Sequence, residues 1–182
     1  GNVVPEIKKI TENENFDFVV MGTKGATSLK ETFFGTITTK VMNEVKTVVL
    51  AIPEHCKYEP IEKILFITEY KPEEKASFLK AMDFAKTFQA HIDCLHVQPT
   101  HHQVKNDYIN DWNEIIKDKD ILSHSIKGDD VEGVILYFID LHKINLIAMH
   151  VQHRNFFEKL FKISLSKKLA FHINVPILAI HE

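Results

Sequence analysis

Apolar and polar positions along this chain switch between two periods, and the switches mark out its elements. Val3–Glu14 puts Val3, Ile7 and Ile10 on one helical face, which predicts the end of an amphipathic helix. Phe16–Met21 is an unbroken apolar run that stops at Gly22. Such a run predicts a strand buried on both faces, as in a parallel sheet. A short helix is expected over Thr36–Glu44 and another buried strand over Thr47–Ile52. Pro53–Pro60 is polar, is bounded by prolines and reads as a linker. Beyond it the pattern predicts strand Lys63–Thr68, helix Pro72–Phe88, strand His91–Val97, helix Val104–Lys117 and strand Ile121–Ile126. Asp129 or Asp130 can cap a helix running to Leu141. Strand Leu146–Met149, helix Ser164–Phe171 and strand Val175–Ile180 complete the series. This alternation predicts an α/β fold with a doubly wound, mostly parallel five-stranded sheet.

The pattern also repeats. Phe16–Glu54 aligns without a gap on Ile144–Glu182 at an offset of 128 residues. Met21 falls on Met149, Phe33 on Phe161, Lys40 on Lys168, and Leu50-Ala51-Ile52 on Leu178-Ala179-Ile180. A fixed offset over a whole supersecondary unit marks a duplicated domain. Residues 61–182 then read as one complete copy, and residues 1–55 as the back half of another. By the same repeat arithmetic the first copy lacks roughly 65–70 residues at its front. The strand at Phe16–Met21 would lack its usual neighbour, so another chain is expected to cover it. The two last strands, Thr47–Ile52 and Val175–Ile180, are expected to meet, because an unpaired apolar edge invites aggregation.

Composition narrows the function classes. The chain has 182 residues, 45% of them apolar and 26% charged, with a net charge of −3. That balance argues against a general nucleic-acid surface. No apolar run approaches a membrane span. Cys56 and Cys94 form no CxxC pattern, which fits a reducing cytoplasm.

One motif carries chemistry. Gly22-Thr-Lys-Gly25 is followed, after nine residues, by Gly35-Thr36, between an apolar strand and a helix. Phosphate oxygens bind well to backbone N–H groups at a helix start, where the helix dipole also favours negative charge. Backbone reaches a phosphate closely only where no side chain intervenes. Thr36 adds a hydroxyl, and Lys24 and Lys30 add positive charge.

The sequence resembles the universal stress protein family. The likeness rests on MGTKGATSLKETFFGTITTKV and TVVLAIP in the first copy, and on KILFITEYKPEEKASFLKAMDFAK and HIDCLHVQP in the second. It implies α/β domains that pair through their last strands and self-associate, and an ATP site. It also implies a regulatory role in stress survival rather than a shared catalytic reaction. By that resemblance Gly22, Gly25, Gly35 and Thr36 match the phosphate loop. The family's nucleoside-contacting acid follows its first strand, which the first copy lacks, so this chain is expected to bind ATP weakly or not at all. The second copy has Glu69 where an Asp is usual, and its loop reads His150-x2-His153-x9-Ile163-Ser164. With the glycines replaced, it is expected to be a structural partner.

The 11 histidines raise a metal reading. His101, His102, His150, His153 and Glu69 are expected near the carboxyl edge of the sheet, where doubly wound folds keep their sites. No compact zinc motif joins them, so no metal is expected. His96, His142 and His172 read as structural or surface residues. Thr36 and Ser164 lack a nucleophile elbow, and no catalytic residue is assigned. Phe156, Phe157, Leu160 and Phe161 have the spacing of local packing. Two other functions stay open: slow ATP hydrolysis at the first loop, and a pure interaction module in which the glycines are vestigial.

Overall fold

The apolar runs become strands, and most of them pair in parallel. The computed structural model describes residues 2–23, 36–100, 106–117, 121–151 and 174–181. Among these lie five helices and seven strands: α1 (Val3–Asn13), β1 (Phe18–Gly22), α2 (Thr36–Glu44), β2 (Val48–Ile52), β3 (Lys63–Ile67) and α3 (Glu74–Phe88). They continue with β4 (His91–Gln98), α4 (Asn106–Ile116), β5 (Leu122–Lys127), α5 (Val131–His142), β6 (Leu146–His150) and β7 (Ile177–Ile180). The fold is α/β and mostly parallel: of the strand pairings β1–β2, β3–β4, β3–β6, β4–β5 and β2–β7, only the last is antiparallel. The expected helix over Ser164–Phe171 and the Phe156–Phe161 cluster lie outside the described residues.

Contacts divide the chain into two compact units. One comprises residues up to Tyr58 together with Val151–His181, and the other runs from Glu59 to His150. The break at Tyr58 falls inside the polar segment read as a linker.

In the first unit β2 lies between β1 and β7. Val49 and Ala51 of β2, all of β7, Val41 and Met42 of α2, and Val45 just after that helix are buried. The pairing of β2 with β7 sets Val49 opposite Ala179, Leu50 opposite Leu178 and Ala51 opposite Ile177. Leu50 and Leu178 are also equivalent at the 128-residue offset. The ladder is therefore centred on a local pseudo-twofold axis between the repeats, and the expected meeting of the two last strands is present within the chain.

β1 corrects the expectation of a strand buried on both faces. Phe18 and Val20 are exposed, at 44% and 57%, and Val19 and Met21 are half-buried. Burial of a parallel strand requires neighbours on both edges. Among the described residues, the one strand that pairs with β1 is β2.

In the second unit the order is β6-β3-β4-β5, all parallel. Successive side chains alternate between the faces. Phe66 faces Phe78 of α3 and Trp112 of α4, with ring centroids at 5.1 and 6.2 Å. On the opposite face His124 of β5 meets Phe138 of α5 at 4.8 Å. Helices thus cover both faces, as the doubly wound pattern requires. Asp130 caps α5 by accepting from the Gly133 amide at 2.9 Å. Gln89 and Lys143 end α3 and α5 in the left-handed conformation, which turns their amides back to donate to the last helical carbonyls. Asn145 fastens the linker: its Oδ1 accepts from the amides of Glu62 and Lys63, and its Nδ2 donates to the Pro60 carbonyl.

Phe66 is fully buried amid aromatic rings, whereas Tyr137 is 67% exposed on α5. Phe66→Ala should lower stability by about 3–5 kcal/mol. Tyr137→Ala should change it by less than about 0.5 kcal/mol. Urea denaturation followed by far-UV circular dichroism separates the two outcomes.

Candidate functional site

The carboxyl edge of the first unit carries the part of the glycine motif that the structure describes. β1 ends at Gly22, and the ladder extends one step further through the Thr23 amide, which donates to the Ile52 carbonyl at 3.0 Å. Thr38, in the first turn of α2, donates its hydroxyl to the Gly22 carbonyl at 2.8 Å. That bond ties the end of β1 to the start of α2, as a strand–loop–helix phosphate site needs. Thr36 is the first residue of α2, so its position at the helix start is as expected. Gly25, Gly35, Lys24 and Lys30 lie outside the described residues.

Gly22 shows why its side chain matters. No described glycine has positive φ, so its conformation is open to any residue. A Cβ built on Gly22 meets nothing within 4 Å. Among the described residues, neither backbone conformation nor a neighbouring atom accounts for glycine here.

The equivalent edge of the second unit is filled. His150 occupies the position of Gly22 and is buried; its Nδ1 lies 2.7 Å from the Ser77 hydroxyl on α3. Beside it, the Glu74 carboxylate clasps the turn between β3 and α3. It accepts from the Thr68 hydroxyl at 2.6 Å and from the amides of Glu69 and Lys71. The Thr68 hydroxyl accepts from the Tyr70 amide at 2.8 Å. Tyr70 takes φ of 60°, an uncommon conformation for an aromatic residue. It is held there by its hydroxyl, 3.0 Å from Ser123, and by its ring, 4.9 Å from that of His96 and 5.8 Å from that of Trp112. His96 Nδ1 lies 3.0 Å from the Thr68 carbonyl, which can only accept, so Nδ1 carries the proton. Glu69 follows β3 and pairs with Lys71.

Burial dominates Glu74 and pushes its carboxyl up to about 7. The bonds from Thr68, Glu69 and Lys71 act in the opposite direction, and the nearby Glu69 charge adds to the rise. Burial also raises the Tyr70 hydroxyl and the Cys94 thiol.

Sequence reasoning placed Glu69 and His150 at this edge but missed Glu74, Ser77 and Tyr70. The signal for Glu74 was present: an acid in the first turn of a helix can fold back onto the amides before it. His101, His102 and His153 are not described. Among the described residues, no three His, Cys, Asp or Glu side chains are grouped to hold a metal ion. No helix of the described residues is long and apolar enough to cross a membrane.

Comparison with known proteins bears on this framework. The sequence profile described as "Universal stress protein family" matches residues 1–53 and 60–181. The chain belongs to the universal stress protein family. Among curated proteins, no sequence matches it. Of solved structures, a universal stress protein from Archaeoglobus fulgidus superimposes with a TM-score of 0.71 at 19% identity, over 98% of this chain and 65% of that one. A structure titled a putative universal stress protein from Pseudomonas aeruginosa gives 0.66 at 12% identity, over 96% and 66%. A protein of unknown function from the same species gives 0.67 at 12%, over 97% and 66%. These likenesses show the fold, and this chain spans slightly less than two-thirds of each matched structure.

Within this universal stress fold, Glu74 makes stability depend on pH. Its folded pKa of about 7 lies above the ordinary 4.5. Its contribution is therefore complete below about pH 4.5 and is lost as pH rises through about 7. On the order of 2–3 kcal/mol should disappear across that window. Glu74→Gln keeps an accepting oxygen and cannot ionise. Urea denaturation at a series of pH values should show the variant's curve flattened between about pH 4.5 and pH 7 relative to the parent. An unchanged slope would remove Glu74 as the cause.

Proposed function

We propose that this chain is a non-catalytic, nucleotide-linked regulator of the universal stress type, built from two repeats. The phosphates of ATP would sit at the first repeat's loop, on the backbone of Gly22, Gly25 and Gly35 and the hydroxyl of Thr36. The observation that carries this reading is the space at Gly22, where a Cβ would lie within 4 Å of none of the described residues. Glycine there is explained by the approach of a ligand. The bond from Thr38 to the Gly22 carbonyl supports it, because it fixes the strand end against the helix start whose dipole favours an anion.

The second repeat would be a structural partner. His150, held near Ser77, occupies the space that Gly22 leaves open. A phosphate would have to displace a buried imidazole and break that contact. The β2–β7 ladder supports a role for the last strands in association, here between repeats of one chain. A reading as a cytoplasmic protein without nucleic-acid or membrane partners fits the mild negative charge.

Two titrations test the nucleotide reading. Gly22→Ala should leave stability within about 0.5 kcal/mol of the parent, since the new methyl meets no atom of the described residues. In a protein that carries both halves of the first repeat, Gly22→Ala or Gly25→Val should weaken Mg-ATP binding more than about tenfold, the equivalent of one charge-assisted hydrogen bond. Residues 1–182 alone should bind weakly or not at all by calorimetry. Tight binding by residues 1–182, or binding indifferent to both substitutions, overturns the assignment.

A further inference from the structure

A helix on the outside of a sheet is ordinarily apolar toward the sheet and polar toward water. α5 is apolar on both sides. Phe138 packs on His124 of β5, and Ile135 and Ile139 are buried with it. On the opposite side Tyr137 and Leu141 are 67% and 58% exposed, and Val134 is half-buried. The first repeat carries the ordinary pattern. At the 128-residue offset Val134, Tyr137 and Leu141 fall on Glu6, Lys9 and Asn13 of α1, all exposed. α1 packs against α2 and buries Val4, and that neighbour leaves these three positions in solvent. The counterpart of Val4 is Glu132. A neighbouring helix in the same layer therefore does not account for apolar residues at 134, 137 and 141.

We propose that this stripe is a dimer contact, in which α5 packs antiparallel on α5 of a second copy about a twofold axis at Tyr137. Such a contact needs a self-complementary surface, and α5 has one. With Tyr137 at the axis, Leu141 of one helix lies opposite Gly133 of the other, four residues to either side. Gly133 serves the cap, because a Cβ there would collide with the Asp130 carboxylate, and its missing side chain leaves a notch for Leu141. The two ends of the helix differ in charge. The amino end has Asp129, Asp130 and Glu132 beside Lys127. At the carboxyl end are His142, Lys143 with its ion-pair partner Asp140, and Lys63, whose ammonium donates to the His142 carbonyl at 3.2 Å. Antiparallel packing sets the acidic end against the basic one and opposes the two helix dipoles. Burial and the Asp130 charge push the Glu132 carboxyl up, which favours a cation brought to that end. Leu122, exposed on the same sheet face as His124, widens the apolar patch. β2 and β7 already pair within the chain, so this contact is separate from the one between last strands. A helix of 12 residues supplies less than the roughly 800 Å² per partner of a standard interface, which makes the expected dimer a weak one.

The test is sedimentation velocity on residues 1–182 over a range of concentrations. The parent should pass from monomer to dimer. Tyr137→Glu should weaken the dimer at least tenfold, with the dilute protein's thermal melt by circular dichroism unchanged. Val20→Lys, at an exposed position of β1, should leave the dimer intact. In a Cys56→Ser background, Tyr137→Cys brings two thiols together at the axis and should give a disulfide-linked dimer with oxidised glutathione. Lys9→Cys, at the equivalent position of α1, should not. A chain that stays monomeric, a dimer indifferent to Tyr137→Glu, loss of the dimer through Val20→Lys alone, or equal crosslinking at both cysteines overturns the proposal. No nucleotide enters these measurements, so their outcome is independent of the Mg-ATP titration.

Discussion

A parallel strand made of consecutive apolar residues is stable only when both of its edges and both of its faces are covered. Most of what distinguishes the two units follows from that constraint. In the second unit β3 and β4 each have a strand on both sides, and their side chains from Ile64 to Ile67 and from Ile92 to Val97 are buried. Alternation then sends Phe66 to one helical layer and Leu65 to the other, and α3, α4 and α5 are held by the faces they cover. In the first unit the same requirement is met on one side of β1, by β2, while Val20 stays exposed on the strand.

The antiparallel ladder between β2 and β7 answers the constraint differently. Two last strands that would each present an apolar edge instead cover one another. Centring on the equivalent residues Leu50 and Leu178 lets identical backbone geometry serve both sides. A duplicated sequence can satisfy such a ladder without new residues, because a twofold contact asks each side for the same surface. His181, just after β7, lies with its Nε2 2.7 Å from the Met42 carbonyl and so fixes the end of that strand to α2.

Much of the fold was legible because its elements are periodic and long. α2 spans the residues that periodicity predicts, Thr36–Glu44, and β3, β4 and β6 differ from expectation by a single residue at their ends. Burial of β1 was misread, since an apolar run reveals which strand wants neighbours and not which neighbours are present. The site was legible only in part. Glycine spacing singled out Gly22, and a Cβ built there lies within 4 Å of none of the described residues. Glu74, Ser77 and Tyr70 were invisible because their roles depend on where a turn brings them. Ser77 comes within reach of His150 across 73 positions of sequence. Tyr70 takes a backbone conformation that its residue type does not announce.

Gly22 and His150 take the same place at the end of β1 and β6. Replacing a glycine at a strand end has two physical consequences: close backbone approach is lost, and a new side chain must be accommodated. In the second unit both are settled at once, because the imidazole turns to Ser77 and becomes buried. The neighbouring Glu74 clasp satisfies the Glu69 and Lys71 amides internally. The first unit keeps the opposite arrangement: at Gly22 no described residue takes the place that the His150 imidazole fills.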